Sequence, residues 1–319
     1  MKAIVYTAYG PPDVLQLRDV DIPAPREGEV LVKIHAASIN YGDSVLVRGK
    51  PLVGRLWSGL IKPKHPILGT DIAGRVEVLG REAKQFQAGE EVFGDIGAYG
   101  FGAFAEYVSV CESALTHKPV NVTFEQAAAA PQAAVVALQG LRDSGQIQDG
   151  QEVLVNGASG GIGSFAVQIA KTFGARVTGV CSTSNLELVR SLGADEVIDY
   201  TQENFTNSGK QYDLIFDIVA NHSISDYLVA LKPAGNYVAC AFNPTSLFFG
   251  AMVSKRSGKK AISLSHKPNQ IDLLFIKELL EDRKVVPFID RSFELSEVAE
   301  AIRYVEEGHH RGKVVIAVN

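Results

Sequence analysis

The chain has 319 residues, room for about two domains at roughly 100–200 residues each. Hydrophobic residues make up 46% and charged residues 21%, the balance of a soluble globular protein with a full core. The net charge of −5 argues against a surface for nucleic acid or an anionic membrane, and three scattered cysteines, Cys111, Cys181 and Cys240, argue against a disulfide framework or a structural zinc.

Met1–Tyr6 is too short an apolar run for a secretory signal. From there to about residue 120, runs rich in Val, Ile, Phe and Tyr read as short strands: Lys2–Tyr6, Glu29–His35, Ile72–Val78, Glu91–Phe93 and Phe104–Val110. Gly10-Pro11-Pro12, Pro23, Gly80 and Gly94 punctuate them, and no long helical period intervenes. This half is expected to be mainly β.

The texture changes at Thr123. Thr123-Phe124-Glu125-Gln126 has the form of a capping box, in which the Thr hydroxyl and the Gln amide satisfy the first free N–H groups of a helix. The Ala-rich segment that follows is broken at Pro131, which predicts one short helix and a second to about Leu141. From Gln151 strands and helices alternate. The strands are Glu152–Asn156, Arg176–Cys181, Glu196–Asp199, Asp213–Val219 and Asn236–Ala241; the helices are Ser164–Phe173, Leu186–Leu192 and Ser223–Leu231. Gly174 and Gly193 stand where a left-handed helix cap is wanted. This spacing predicts a parallel, doubly wound sheet. The uncharged stretch Pro233 to Ser254 contains Gly235, Asn236, Asn243, Pro244, Thr245 and Ser246, so it reads as a buried strand and a loop rather than a membrane span. Helices at Ile271–Glu281 and Glu297–Glu307 precede a last strand, Lys313–Val318, which sends the tail back to the N-terminal β domain. The expected division is residues 1–122 with 268–319 as one domain and 123–267 as the other, in a cytoplasmic protein.

The most informative segment runs from Glu152 to Ala166, EVLVNGASGGIGSFA. An apolar strand leads through Gly157-Ala158-Ser159-Gly160-Gly161-Ile162-Gly163 into a helix. That pattern supplies a tight turn, a backbone that approaches a pyrophosphate closely and a helix N-terminus aimed at it. The second strand ends in Val180-Cys181, followed by Ser182-Thr183-Ser184-Asn185, without the Asp or Glu that would hold an NAD ribose. Four short polar side chains could donate to a 2′-phosphate, and Tyr200 could reach the same end. The expected cofactor is NADPH. The same four residues also make an ordinary helix N-cap cluster.

With these motifs on the page, the chain resembles the zinc-free quinone oxidoreductase branch of the medium-chain dehydrogenase/reductase superfamily. The resemblance is carried by MKAIVYTAYGPPDVL, EVLVKIHAASINYG, LGTDIAGRVEVLG, Val153–Gly163, LGADEVIDY and GKVV, and covers essentially the whole chain. It implies an α/β protein with a GroES-like β domain formed from both ends of the chain and a Rossmann domain between, substrate in the cleft and a homodimer through the Rossmann sheet. It puts Ser159, Gly160, Gly161, Ile162 and Gly163 at the pyrophosphate. Ser182 and Tyr200 go to the 2′-phosphate, where some relatives have a Lys in place of Asn185. Asn40 goes beside the nicotinamide, with Phe242 and Asn243 along its other side. Zinc-containing cousins have Cys at the position of Asn40 and His-Glu at that of Thr70-Asp71, and Pro131–Val135 offers no further Cys or His, so no metal is expected.

The expected reaction is hydride transfer to a quinone or an α,β-unsaturated ketone. Tyr41 and Asp43 are candidates to hydrogen-bond the carbonyl, or else plain turn residues, and Trp57 either lines the pocket or packs. The seven histidines show no metal-ligand spacing. None of the ten tyrosines has a Lys four positions later, which removes the short-chain reductase. The alternative is a non-catalytic NADPH-binding sensor or scaffold of the same fold.

Overall fold

The structure is a computed structural model that describes residues 1–240 and 258–319. In chain order its strands are β1 (Lys2–Val5), β2 (Gln16–Asp19), β3 (Glu29–Ile39), β4 (Asp71–Leu79), β5 (Glu91–Asp95), β6 (Tyr107–Cys111), β7 (Leu115–His117), β8 (Glu152–Asn156), β9 (Arg176–Cys181), β10 (Glu196–Asp199), β11 (Tyr212–Asp217), β12 (Leu231–Ala239), β13 (Lys260–Ser263), β14 (Ile289–Glu294) and β15 (Lys313–Ala317). Its α-helices are α1 (Tyr41–Arg48), α2 (Arg55–Ser58), α3 (Phe124–Ala129), α4 (Pro131–Leu138), α5 (Gly161–Thr172), α6 (Leu186–Ser191), α7 (Ile224–Val229), α8 (Gln270–Glu281) and α9 (Val298–Glu306). The chain forms two compact units: Met1–Ala133 with Pro268–Asn319, and Ala134–Lys267. Among the described residues no helix is long and apolar enough to cross a membrane.

The first unit is built on β3. One edge of this long strand pairs with β4, and the other pairs with β6 along Glu29–Lys33 and with β15 along Ala36–Ile39, all antiparallel. The sheet runs β14-β15-β3-β4-β5-β7. Val30, Val32 and Ile34 alternate into a core with Ile72, Val76, Val92, Val314 and Ile316. Helix α9 closes that core with Val298, Ala301, Ile302 and Val305, a spacing that puts all four on one face. Each buried Val or Ile among them contributes about 1.5–3 kcal/mol by leaving water. At one end of the sheet the register aligns polar residues instead. Ser38 faces Asp71, Asp71 faces Asp95, and Ile39 faces the residue after Lys313.

The second unit is a parallel sheet in the order β10-β9-β8-β11-β12-β13. Counting from β8 this is the 3-2-1-4-5-6 order of dinucleotide-binding folds. Val153, Leu154 and Val155 are all fully buried, as a strand covered on both faces requires. The strand order reverses beside β8, so the C-terminal ends of β8 and β11 flank the crevice where such folds take their ligand.

Several sequence expectations need correction. The sequence places residues 123–133 in the second domain, but they belong to the first unit, where α3 packs on β3, β4 and β15 and Ala127 to Ala130 are fully buried. Only methyl-sized side chains let a helix lie that close to a sheet. The expected capping box is present, with the Gln126 N–H donating to Thr123 Oγ1 at 3.2 Å and the Thr123 N–H to Gln126 Oε1 at 3.1 Å. Tyr41 and Asp43, expected at most as turn residues, lie in helix α1, whose eight residues bury only Asp43, Ser44 and Val47, too few for an apolar period. Its signals were the Asn40/Asp43 start and Gly49, which caps it at φ 58°. Strands β2, β13 and β14 were also missed; β2 is exposed throughout and β13 has no fully buried residue. The segment around Trp57, for which no helix is expected, contains α2.

Candidate functional site

In the second unit β8 ends at Asn156 and the chain turns through Gly157, at φ +89°, into α5. The turn is fixed by packing. A Cβ on Gly163 would lie 2.0 Å from the Gly157 carbonyl oxygen and 2.8 Å from Ala158 Cα, both backbone, so only glycine lets helix and strand approach this closely. The helix opens on Gly160, which has no side chain to cap it, and the first-turn N–H groups of Gly161, Ile162 and Gly163 point where an anion would bind. Beneath the turn, Asn156 Nδ2 donates to Asp217 Oδ1 at 2.9 Å, to Asn221 Oδ1 at 2.9 Å and to Tyr227 Oη at 3.1 Å. Tyr237 Oη donates to Asp217 Oδ2 at 2.7 Å. This buried network ties the ends of β8, β11 and β12 together and rigidifies the crevice.

Three expected residues meet beside it. Asn185 Nδ2 donates to Ser159 Oγ at 3.2 Å and to Ser182 Oγ at 3.1 Å, so one amide links the glycine turn to the end of β9. Asn185 Oδ1 is buried without a partner, which makes it an acceptor waiting for a donor. Ser182 is half-buried and Tyr200 is 57% exposed. The uncapped helix start, the glycine-only turn and the orphaned amide oxygen fit a dinucleotide. Sequence reasoning missed one group here. Asp199, at the end of β10, accepts from the Thr183 hydroxyl, from the Thr201 N–H at 2.9 Å and from Thr201 Oγ1 at 2.7 Å. The Thr183 hydrogen bond, more than any other contact, holds its carboxyl below the usual range. Asp199 is part of LGADEVIDY, but the rule that places a ribose-binding carboxylate at the end of the second strand points to β9 and not to β10.

In the first unit Asn40 begins α1, yet its side chain does not cap the helix. Instead Asn40 Nδ2 donates to Thr70 Oγ1 at 3.0 Å and to Asp71 Oδ2 at 2.9 Å. Lys313 Nζ donates to Asn40 Oδ1 at 2.6 Å and to the Ile39 carbonyl at 3.1 Å, and lies 3.7 Å from Asp71 Oδ2. Asp71 also accepts from Ser38 Oγ at 3.0 Å and from the Gln132 N–H at 3.0 Å. Lys313 and Asp71 have side chains 3% and 0% exposed, so this is a buried ion pair with its hydrogen bonds filled. Burial lowers the lysine and raises the aspartate, and each partner's charge opposes the other's shift. The positions that carry metal ligands in zinc-containing cousins thus hold an amide, a hydroxyl and one carboxylate, with an ammonium among them. A Zn²⁺ does not fit: it needs about three protein ligands and would meet a buried cation. Sequence reasoning missed Lys313, Ser38, Gln132 and Asp95; GKVV was noted, but nothing in a sequence brings position 313 to position 40.

Asp43 and Tyr41 separate. Asp43 is 1% exposed, and its Oδ2 accepts the Asn40 N–H at 2.8 Å, so its carboxyl serves the start of α1 rather than facing solvent. Tyr41 is 72% exposed. Trp57 lies in α2, while Phe242 and Asn243 fall outside the described residues.

Burial pushes Asp43 up to about 7, and burial with the Asp71 charge pushes Asp95 up to about 7. A folded pKa above the ordinary 3.8 means that the fold prefers the neutral acid. Asp95 therefore contributes stability that is fully present below about pH 4 and is lost as the pH rises through about 7, at up to ~1.4 kcal/mol per unit. Asp95→Asn keeps an oxygen for the Gly97 N–H, which now donates to Asp95 Oδ1 at 2.8 Å, and cannot ionise. Melting curves at about pH 5 and pH 8.5 are expected to show a smaller alkaline loss in the variant than in the wild type. An equal or larger loss would mean that Asp95 is ionised in the fold throughout.

Residues 26–120 match the family described as alcohol dehydrogenase GroES-like domain, and residues 192–316 the one described as zinc-binding dehydrogenase. The zinc of that second description is not matched by the donor set above. The chain is 37% identical over 327 residues to the 2-methylene-furan-3-one reductase of Solanum lycopersicum, covering 99% of this chain and 79% of the relative. It is 36% identical over 328 residues to the chloroplastic NADPH-dependent alkenal/one oxidoreductase of Arabidopsis thaliana, with the same coverage of 99% and 79%. The solved quinone oxidoreductase of Coxiella burnetii is similar at a TM-score of 0.89 and 32% identity, over 100% of this chain and 99% of that one. With its GroES-like unit, its parallel nucleotide-binding sheet and relatives of this similarity, the chain belongs to the quinone oxidoreductase branch of the medium-chain dehydrogenase/reductase superfamily and is a nicotinamide-dependent oxidoreductase.

Proposed function

We propose that this enzyme uses NADPH to reduce quinones or α,β-unsaturated ketones, adding hydride to an acceptor that its own conjugation has activated. The observation that carries the reading is the donor set around Asn40. A site whose metal-ligand positions are filled by Asn40, Thr70 and Asp71 around the Lys313 ammonium has no Lewis acid to polarise an alcohol or a simple carbonyl. An acceptor that takes hydride unaided is what remains. The names of the Solanum, Arabidopsis and Coxiella relatives support the same substrate class.

When bound, the reduced nicotinamide supplies the hydride. The chain binds and orients. Ser159, Gly160, Gly161, Ile162 and Gly163 hold the pyrophosphate, and Ser182, Asn185 and Tyr200 hold the 2′-phosphate. Two features support NADPH over NADH: no carboxylate ends β9, and the nearest one, Asp199, has its oxygens engaged by Thr183 and Thr201. Asn40 serves the nicotinamide, as do Phe242 and Asn243, which lie outside the described residues. The exposed Tyr41 hydroxyl donates to the acceptor's carbonyl oxygen, and water delivers the proton that completes the reduction. The edge strand β13 pairs with a second copy in a homodimer. Three free thiols, with burial pushing Cys181 up to about 11, suit a reducing compartment such as the cytoplasm. Turnover of NADPH on an enone, set against its saturated ketone, tests the reading.

A further inference from the structure

We propose that Lys313 is a positioning residue for the reaction: its ammonium takes over the organising place of a metal and fixes the amide of Asn40. The proposal rests on the reading that Asn40 serves the nicotinamide.

The Asn40 amide has two hydrogens and an oxygen with two lone pairs, and the first unit takes both hydrogens and one lone pair, which leaves the second lone pair of Oδ1 for a further donor such as the nicotinamide's carboxamide. Thr70 Oγ1 and Asp71 Oδ2 take the hydrogens, and Lys313 holds the oxygen at 2.6 Å. No other rotamer of Asn40 keeps these bonds. A flipped amide would put its NH₂ against the ammonium and its oxygen against the carboxylate. Lys313 is in turn buried and held on several sides. Its stem lies on β15 beside β3, and its Nζ is held between Asn40, the Ile39 carbonyl and Asp71. Stability alone does not explain a buried pair here, since such a pair is often no more stabilising than apolar packing of the same volume. What it adds is direction, because Asn40 begins α1 and the exposed Tyr41 follows it. A group oriented by such a contact loses about tenfold or more in rate when it shifts by an ångström.

The test is a double-mutant cycle on the full-length enzyme, reading kcat on an enone, the NADPH dissociation constant by fluorescence titration, and the melting temperature. Lys313→Met and Asn40→Ala are each expected to lower kcat about tenfold or more, with NADPH affinity changed less than about twofold, since the phosphate contacts lie in the other unit. The doubly substituted protein is expected to be no slower than the slower single variant, because Lys313 acts through Asn40. Multiplying losses, or Lys313→Met within about twofold of the wild-type kcat, overturn the proposal. If Asn40→Ala alone keeps its kcat, the reading of Asn40 fails and the proposal goes with it. A wild type without enone or quinone turnover would refute the proposed function itself. Should Lys313→Met not fold, the charge-balanced Lys313→Met/Asp71→Asn pair replaces it, since it leaves no lone buried charge. Recovered melting temperature with a low kcat supports positioning, whereas recovery of both shows that the pair only holds the fold.

Discussion

Replacing Gly163 with alanine is expected to weaken NADPH binding strongly and to lower the melting temperature at the same time. The added methyl would lie 2.0 Å from the Gly157 carbonyl oxygen and 2.8 Å from Ala158 Cα, and neither atom belongs to a side chain that can rotate away. Either α5 moves off the strand or the turn opens, and both displace the first-turn N–H groups of α5, the proposed pyrophosphate contacts. An affinity loss of about a hundredfold, ~2.7 kcal/mol, is the expected scale. The strain itself costs about 1–3 kcal/mol, as overpacked sites generally do. Gly161→Val separates the two effects. Gly161 is the first residue of α5 and partly exposed, so a side chain there meets the cofactor rather than the fold. That variant should melt near the wild type yet fail to bind NADPH. A Gly163→Ala protein with wild-type affinity would show that the turn is not the phosphate cradle.

Ser182→Asp is expected to separate the two nicotinamide cofactors. Ser182 Oγ accepts from Asn185 Nδ2 at 3.1 Å and lies on the loop that follows β9, where a carboxylate would favour the ribose of NADH. A new negative charge repels a 2′-phosphate and removes a hydroxyl donor. At close range this amounts to ~1–3 kcal/mol, so NADPH should weaken by roughly tenfold to a hundredfold. NADH has no phosphate there and should weaken far less, or even gain. Because Asp199 already stands on the next strand, the added carboxylate also crowds a second one, and raised salt should partly restore NADPH binding. Equal weakening of the two cofactors would place the phosphate elsewhere.

Much of this was legible in the sequence, for a local reason. The strand, glycine turn and helix from Glu152 are contiguous, so periodicity and glycine spacing carry the motif, and the 3.6-residue spacing of α9 carries its buried face in the same way. Elements that bury little left no such mark. Helix α1 buries three of its eight residues, and β14 only Phe293. The polar cluster was half visible. Asn40, Thr70 and Asp71 could be set against metal ligands, which told what was missing. The cation among them comes from β15, 273 residues away, and only the antiparallel register of β15 on β3 brings Lys313 to Asn40. Asp43 shows the opposite failure: its place in the chain suggested chemistry, while its hydrogen bond to the Asn40 N–H gives it a helix to start.

The central claim, that hydride goes to an acceptor activated by conjugation and not by a metal, meets its most direct test in one steady-state comparison. EDTA-treated enzyme with NADPH is given an enone and the saturated ketone of the same skeleton. The enone should be reduced at its C=C bond with undiminished kcat, and the saturated ketone should react at least about a hundredfold more slowly, a gap of ~2.7 kcal/mol in barrier. Comparable rates on the two ketones, or activity that EDTA removes and zinc restores, would contradict it.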